Sequence, residues 1–306
     1  MTDQHTSAAW SPGSDSNWGR WGAEDERGTL NLLTPEIVRA AAGSIRSGKV
    51  YSLGLPVQST GVPLVPYRGV PMRLTLVNQA DTGIYDDFGA VDVGANEDVL
   101  VLASHNETHM DALCHVHHHD TLYNGFSNAT MKTHTGAGRC GIDKTPWVVG
   151  RAVLLDVAGY HGVDCLEVPH IITADELSAV AAAQGVELRA GDILLIRTGW
   201  VGAFMANPSG DIGGQPGIGV DACKLIASLD LAAVGADNSA VEAIPFDNNE
   251  FLTVHIELLV KRGLPLLEHL VLDEMAADKA YETFLVVAPL PITGGTGSPI
   301  NPIAIA

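Results

Sequence analysis

The sequence predicts an α/β protein from two kinds of signal: apolar runs typical of strands, and start and stop signals typical of helices. From residue 152 onward, apolar runs typical of buried strands alternate with segments that carry helix start and stop signals. Such alternation indicates a sheet whose strands are joined by crossover connections. At 306 residues and 46% hydrophobic side chains, the chain can bury a large core. We therefore expect one large domain at residues 21–306, preceded by an arm at residues 1–20.

The arm is rich in Ser, Asp, Gly and Trp and has no periodicity, which is typical of a tail. Indole rings are costly to leave in water, and Trp10, Trp18 and Trp21 lie in or beside this segment. We therefore expect the arm to pack on its own domain or to cross to a partner subunit.

The first elements of the domain are a helix and two strands. Thr34-Pro35-Glu36 supplies a cap and a proline at the first helical position, which predicts a helix that runs to Gly48. Strands are predicted near 49–53 and 72–77. An acidic loop at 81–98 then leads to the apolar strand 99–103.

The second half of the chain supplies the alternating elements. Thr173-x-x-Glu176 is a capping-box pattern before a helix that ends at Gly185. The glycine-rich stretches 209–217 and 294–298 lack the phosphate-loop patterns and are predicted as surface loops or tight turns, the first as a candidate lid. The remaining predictions are strands at 152–157, 193–197, 231–235 and 284–288, helices at 221–229 and 254–263, and a proline-rich tail at 289–306.

Composition narrows the partners and the compartment. A formal charge of −19 repels a phosphate backbone, so nucleic acid is not expected as a partner. No apolar run reaches 18 residues and the N-terminus lacks a signal pattern, so we expect no membrane partner and a cytoplasmic location. The scattered cysteines suggest neither a disulfide scaffold nor a zinc ribbon: Cys114, Cys140, Cys165 and Cys223.

Half of the chain's 12 histidines fall between residues 105 and 119. His105, His109 and Asp111 combine imidazole and carboxylate at short spacing, as a borderline divalent metal requires. A straight helix would point Asp111 about 200° away from His109. A straight strand would separate the two histidines by roughly 13 Å, so the chain must bend between them. We predict a metal site on a turn that follows the strand at 99–103.

The other histidines of the cluster carry a weaker signal. A single histidine is more often a surface or hydrogen-bonded core residue than a ligand, and consecutive residues cannot all face one ion. His117 is therefore expected to be solvated. For His118 and His119, both a solvated position and a position in the cleft remain open.

Several stretches accompany the histidine motif: His105-x₃-His109-x-Asp111-x₃-His115, Tyr123-Asn124-Gly125, and the ranges 191–200, 237–242 and 297–302. Together they resemble the metal-dependent cyclase family of hydrolases, to which bacterial kynurenine formamidase and isatin hydrolase belong. The likeness covers roughly residues 20 to 306, and its order and length match the larger branch of the family.

The resemblance implies a swivelling β/β/α fold, in which a twisted mixed sheet is partly closed as a barrel and flanked by helices. It implies Zn²⁺ or Mn²⁺ held by His105, His109 and Asp111, with His115 as the catalytic acid/base. It also implies that His255 and Glu268 complete the site or bind a second ion. From the residues alone, His255 could instead cap a helix and Glu268 could be a solvated carboxylate. The family likeness further suggests a homodimer or homotetramer.

One position departs from the family pattern. Family members usually have glycine two residues after the first ligand histidine, where this chain has Glu107. A carboxylate there could face the cleft, where it would add a ligand or repel acidic substrates, or it could point to solvent.

The expected activity is hydrolysis of an amide, imide, lactam or ester bond in a small-molecule substrate, and the resemblance favours a carbon–nitrogen bond other than a peptide bond. A divalent ion lowers the pKa of water toward about 7, and His115 is suited to accept a proton and return it to the leaving group. Two alternatives stay open. Two histidines and a carboxylate also form the site of non-haem Fe(II) oxygenases, and the chain could be a non-catalytic metal-binding protein.

Overall fold

The computed structural model describes residues 10–81, 83–208 and 213–306. The strands are β1 Val50–Ser52, β2 Met72–Val77, β3 Glu97–Val101, β4 His109–Asp111, β5 Met131–Lys132, β6 Gly136–Ala137, β7 Val148–Asp156, β8 Ile171–Ile172, β9 Ile193–Arg197, β10 Gly217–Ile218, β11 Ala233–Ala236, β12 Leu266–Glu268, β13 Glu282–Val287, β14 Gly297–Pro299 and β15 Ile303–Ile305.

Most helices are short. The α-helices are α1 Pro35–Ala41, α2 Val157–Tyr160, α3 Ala174–Gln184, α4 Trp200–Ala206, α5 Val220–Ser228, α6 Thr253–His255 and α7 Asp273–Ala277, and a π-helical segment at Ile256–Arg262 continues α6. The 3₁₀ segments are Gly28–Leu32, Ala42–Ser44, Pro66–Arg68, Asp86–Phe88, Tyr123–Gly125, Asn128–Thr130, Ile142–Lys144 and Asp247–Asn249. Among the described residues, no helix is long and apolar enough to cross a bilayer.

One nine-stranded sheet organises the molecule, in the order β1-β15-β13-β7-β9-β11-β12-β4-β14. The central strands β7, β9, β11 and β12 run parallel, and the strands on both sides pair antiparallel. The sheet curls into a half-barrel flanked by helices. The predicted α/β class with a mixed, partly closed sheet is therefore confirmed.

The central strands form the core because both of their faces are covered. Ile193, Leu194 and Leu195 of β9 are completely buried, as are Leu154 and Leu155 of β7. Parallel strands buried on both faces favour continuous apolar runs rather than alternation. Because of those apolar runs, the central strands can be predicted from the sequence.

The capping signals predict the bounds of α3, with two departures from the predicted helices. Thr173 accepts a hydrogen bond from the Glu176 backbone N–H at 3.2 Å, and Gly185 ends α3 in the left-handed region at φ 68°. The Glu176 carboxylate does not return to the Thr173 backbone and contacts two histidines instead. The first helix is shorter than predicted, because α1 ends at Ala41 and a 3₁₀ turn follows it.

The proline-rich tail contributes two strands that are not assigned from the sequence. It contains β14, which pairs with β4, and β15, which lies between β1 and β13. The stretch 294–298 is accordingly a turn that leads into a buried strand rather than a surface loop. In the other glycine-rich stretch, residues 209–212 lie outside the described residues.

The described part of the arm packs on its own domain. The Trp18 indole donates a hydrogen bond to the Val260 carbonyl at 2.8 Å, and the Asn17 backbone donates to the Lys261 carbonyl at 3.0 Å. Trp10 meets Trp18 edge to face, with ring centroids 5.7 Å apart. A contact between the arm and a partner subunit stays a prediction.

Candidate metal centre

The histidine turn and β4 bring the first three predicted ligands together. His109 and Asp111 are two residues apart on β4, so their side chains share one face of the sheet. The turn before β4 folds His105 back, and its Nδ1 lies 2.8 Å from Asp111 Oδ1. The chain bends between the two histidines, as the spacing predicts.

Two distant segments add side chains to the same face. In the antiparallel pairing of β12 with β4, Glu268 stands opposite His109, and Glu268 Oε2 lies 3.1 Å from His109 Nε2. His255 on α6 approaches from the side of the helices. Its Nε2 lies 3.5 Å from Glu268 Oε1 and 3.8 Å from Asp111 Oδ2. Glu268 is only 3% exposed, so it is not a solvated carboxylate. His255 is equally buried, and its side chain makes no capping hydrogen bond to the helix that follows it.

Strand β14, which pairs with β4 at the edge of the sheet, contacts the histidine turn from the other side. Gly297 of β14 stands opposite Asp111, and Thr296 Oγ1 lies 3.0 Å from His105 Nε2. Both ring nitrogens of His105 therefore have a partner, and the ring is fixed between Asp111 and Thr296.

Two imidazoles have one nitrogen fixed and the other free. The Nδ1 atom of His109 lies 2.6 Å from the Glu107 carbonyl, to which it donates, and Nδ1 of His255 is hydrogen-bonded to the Glu242 carboxylate. Such contacts select the tautomer whose Nε2 lone pair can bind a metal. In both residues, Nε2 points toward the carboxylates of Asp111 and Glu268.

Unpartnered polar atoms show that these side chains fit a cation. Within the described chain, His109 Nε2, Asp111 Oδ2 and Glu268 Oε1 are buried and make no well-aligned hydrogen bond. The 3.1 Å contact of His109 Nε2 with Glu268 Oε2 is close, but it does not have hydrogen-bond geometry. Buried polar atoms are normally satisfied, and an unpaired one is costly. Two ligand sets share Asp111, and within each set the ligand atoms lie within 4.8 Å of one another: His105, His109 and Asp111, and Asp111, His255 and Glu268. Imidazole and carboxylate ligands of this kind suit a divalent ion.

His115 lies beside the ligand cluster rather than in it. Its ring stacks on His105 with centroids 3.9 Å apart and planes inclined by 22°, and its centroid lies 6.4 Å from that of His255. Burial lowers the pKa of His115 to about 4, although Asp111 acts in the opposite direction. The imidazole is therefore neutral near pH 7 and can accept a proton.

The remaining histidines of the cluster fall into two groups: His117 is solvated, whereas His118 and His119 contact the arm. The side chain of His117 is 47% exposed, as expected for a solvated residue. Trp10 packs edge-on against His118 and stacks near His119, with centroids 4.7 Å and 6.2 Å apart. These two rings contact the arm.

Two buried groups near the cluster were not assigned from the sequence. The Glu107 side chain is buried, neither of its oxygens has a partner among the described residues, and burial raises its pKa. His269 follows Glu268 directly and stacks on Trp200 with centroids 6.0 Å apart, and its Nε2 is buried without a partner there. The sequence feature that could have identified His269 is its position directly after Glu268, a predicted site residue. The sequence left open whether Glu107 points to solvent, and its burial shows that it does not.

Residues 237–242 support the centre rather than line it. Asp237 accepts hydrogen bonds from the backbone of Thr198 and Gly199, both at 2.7 Å. The Asn238 side chain donates to the Pro216 carbonyl at 2.7 Å. Glu242 alone reaches the ligand cluster, through His255.

Comparison with protein families places the chain in a class. The Cyclase family model matches residues 51–243, a range that contains the histidine turn and Glu242. The chain belongs to this family, as its motifs indicated.

Solved structures share its fold. A crystal structure described as a novel cyclase is 35% identical, covers 95% of this chain and 100% of its own, and has a TM-score of 0.87. An isatin hydrolase bound to the product analogue thioisatinate is 21% identical, with coverage of 90% and 98% and a TM-score of 0.61. A predicted metal-dependent hydrolase from Bacillus stearothermophilus is 20% identical, with coverage of 84% and 97% and a TM-score of 0.53. The search of curated proteins gave no match.

Proposed function

We propose that this protein is a metal-dependent hydrolase that cleaves a carbon–nitrogen bond other than a peptide bond, in a small amide, imide or lactam, or else a small ester. The observation that carries the proposal is the group of buried, unpartnered ligand atoms on His109, Asp111 and Glu268. Hydrolases, an isatin hydrolase among them, occur among the solved structures with this fold.

His105, His109 and Asp111 would hold the ion, and His255 and Glu268 would complete the site. Mixed imidazole and carboxylate ligands favour Zn²⁺ or Mn²⁺. When bound, the ion would supply Lewis acidity, which polarises a carbonyl and makes water nucleophilic near neutral pH.

The protein's own groups would move the proton. His115 is neutral near pH 7 and stands beside the ligand cluster, so it can accept a proton from water and return it to the leaving nitrogen or oxygen. Glu242 would hold the His255 ring in one orientation. Glu107 would bring a further carboxyl group to the site, which would disfavour acidic substrates in its carboxylate form.

The protein is also proposed to act as a homodimer or homotetramer. The hairpin of β2 and β3 supports this, because a two-stranded ribbon is marginally stable by itself. Its apolar side chains are 48%, 53% and 58% exposed at Met72, Leu74 and Leu76, and 48% exposed at both Leu100 and Val101. Exposed apolar area of this kind typically marks an interface, and a second copy of the chain would cover it.

The test uses metal-free protein reconstituted separately with zinc, manganese or iron. Each form is assayed without oxygen on arylformamides, cyclic imides, lactams and esters, and metal content is measured by mass spectrometry. We expect turnover with zinc or manganese, no turnover by His115→Ala despite retained metal, and loss of metal from Asp111→Ala. His134→Ala, at an exposed histidine, is the matched control.

Other outcomes would contradict the proposal. Iron-dependent consumption of O₂ would favour the oxygenase, and metal-loaded protein without turnover on the whole panel would favour a non-catalytic role. Loss of metal from His115→Ala would show that His115 is a ligand and that its assigned role is wrong.

A further inference from the structure

We propose a second metal site, for a zinc-like transition-metal ion, formed by His161, His170 and Glu176. These residues lie on three separate segments. His161 follows α2 directly, His170 precedes β8, and Glu176 is in the first turn of α3. The site shares no residue with the candidate metal centre.

The ligand atoms converge on one carboxylate. His161 Nε2 lies 2.6 Å from Glu176 Oε1, and His170 Nε2 lies 2.9 Å from Oε1 and 3.2 Å from Oε2. One ligand atom from each residue falls within 4.8 Å of those of the others, and the two imidazole centroids are 5.4 Å apart. Two imidazoles and one carboxylate are a donor set that zinc accepts, with a fourth position left for water.

The orientation of Glu176 is the second observation. At the third position of a capping box, a glutamate normally bonds back to the backbone N–H of the cap residue. Here Thr173 caps α3 as expected, but the Glu176 carboxylate turns toward the two histidines. The local helix signal therefore does not explain where this side chain points.

The site is open to solvent and tied to neighbouring backbone. The side chains are 40%, 28% and 15% exposed at His161, His170 and Glu176, so an ion can enter without unfolding. The His170 carbonyl accepts a hydrogen bond from Gly217 of β10 at 3.1 Å. An ion here would hold the end of α2, the approach to β8 and the start of α3 together, and it would raise the thermal stability of the protein.

The test measures zinc stoichiometry, which does not depend on turnover. Metal-free protein is titrated with zinc alone by calorimetry, and bound zinc is counted by mass spectrometry. We expect His161→Ala/His170→Ala to bind one equivalent less than wild type. His109→Ala should keep the equivalent that this pair removes. His134→Ala is the matched control and should bind as wild type does.

Two further readouts keep the result interpretable. Glu176→Gln preserves the size of the side chain and can still accept hydrogen bonds, so it should fold and weaken zinc binding at this site by roughly 10-fold or more. In the Asp111→Ala background, which removes the ligand shared by both sets at the first centre, zinc should raise the melting temperature, and the added pair His161→Ala/His170→Ala should abolish that rise. Unchanged stoichiometry in the histidine pair, or unchanged affinity in Glu176→Gln, would overturn the proposal.

Discussion

Gly297 lies directly against the imidazole of His105. A β-carbon at this glycine would come within 2.5 Å of His105 Cε1 and 2.8 Å of the Met110 carbonyl oxygen. Such distances are far shorter than van der Waals contact, so only glycine leaves room for the ring. The edge strand β14 thereby sets the position of a predicted ligand that lies almost two hundred residues earlier in the chain.

Gly297→Ala is expected to displace His105 and weaken metal binding. Overpacking of a buried site also costs roughly 1–3 kcal/mol of unfolding free energy. Zinc affinity by chelator competition and chemical denaturation measure the two effects. Gly94→Ala is the matched control, because a β-carbon there meets nothing within 4 Å. Unaltered zinc affinity in Gly297→Ala would show that His105 is not a ligand.

Glu242→Gln is expected to weaken metal binding without unfolding the protein. The Glu242 carboxylate holds His255 Nδ1, and the removal of such an outer contact typically costs 10- to 100-fold in metal affinity or activity. Glu250→Gln, at an exposed glutamate, is the control. Competition with a coloured chelator gives the dissociation constants. Equal constants for the two variants would rule out this role for Glu242.

The cysteines are expected to resist alkylation in the folded protein. All four are free thiols, as the sequence suggested, and three are buried. Burial raises the pKa of Cys114 to about 12 and raises those of Cys140 and Cys223 as well. Since the thiolate is the reactive form, iodoacetamide at pH 8 should label only the half-buried Cys165, and slowly.

Intact-mass spectrometry counts the labels from this reaction. Protein unfolded in guanidinium chloride should take up four, because the pKa of each thiol returns to its ordinary value. Rapid native labelling of Cys114 would contradict the packing around the histidine turn.

Leu74→Glu/Leu76→Glu should shift the protein toward monomers if a second copy covers the β2–β3 hairpin. Both leucines are more than half exposed in a single chain, so the change costs little stability there, whereas buried carboxylates would disrupt an interface. Light scattering after size exclusion gives the mass. Val91→Glu, at an exposed valine outside the hairpin strands, is the control. A monomeric wild type would count against assembly.

Local sequence patterns predict the centre of the sheet better than its margins. Strand β9 was readable because its unbroken apolar run has one physical explanation, burial on both faces. Strand β14 was missed because it ends at Pro299, and proline argues against a central strand. It lies at the end of the sheet order, and an edge strand tolerates proline.

The same limit applies to the candidate site. The spacing of His105, His109 and Asp111 predicts their convergence, because all three lie within one short turn and strand. His255 and Glu268 came from family resemblance, and spacing alone would have left them unassigned. The environment of His269 depends on Trp200, which packs against it from a distant helix. The position of His269 directly after Glu268 places it near the site, but no local pattern predicts its burial against Trp200.

The place of β4 between β12 and β14 has a consequence for biosynthesis. The ribosome delivers the histidine turn early, but both neighbouring strands of β4 are translated more than 150 residues later. Until then, β4 lacks both neighbours, and contacts of such long sequence separation form slowly. Completion of the metal centre is therefore a late event in the maturation of the chain, and a nascent polypeptide stalled before β12 carries the histidine motif without Glu268 and without the two strands that flank β4.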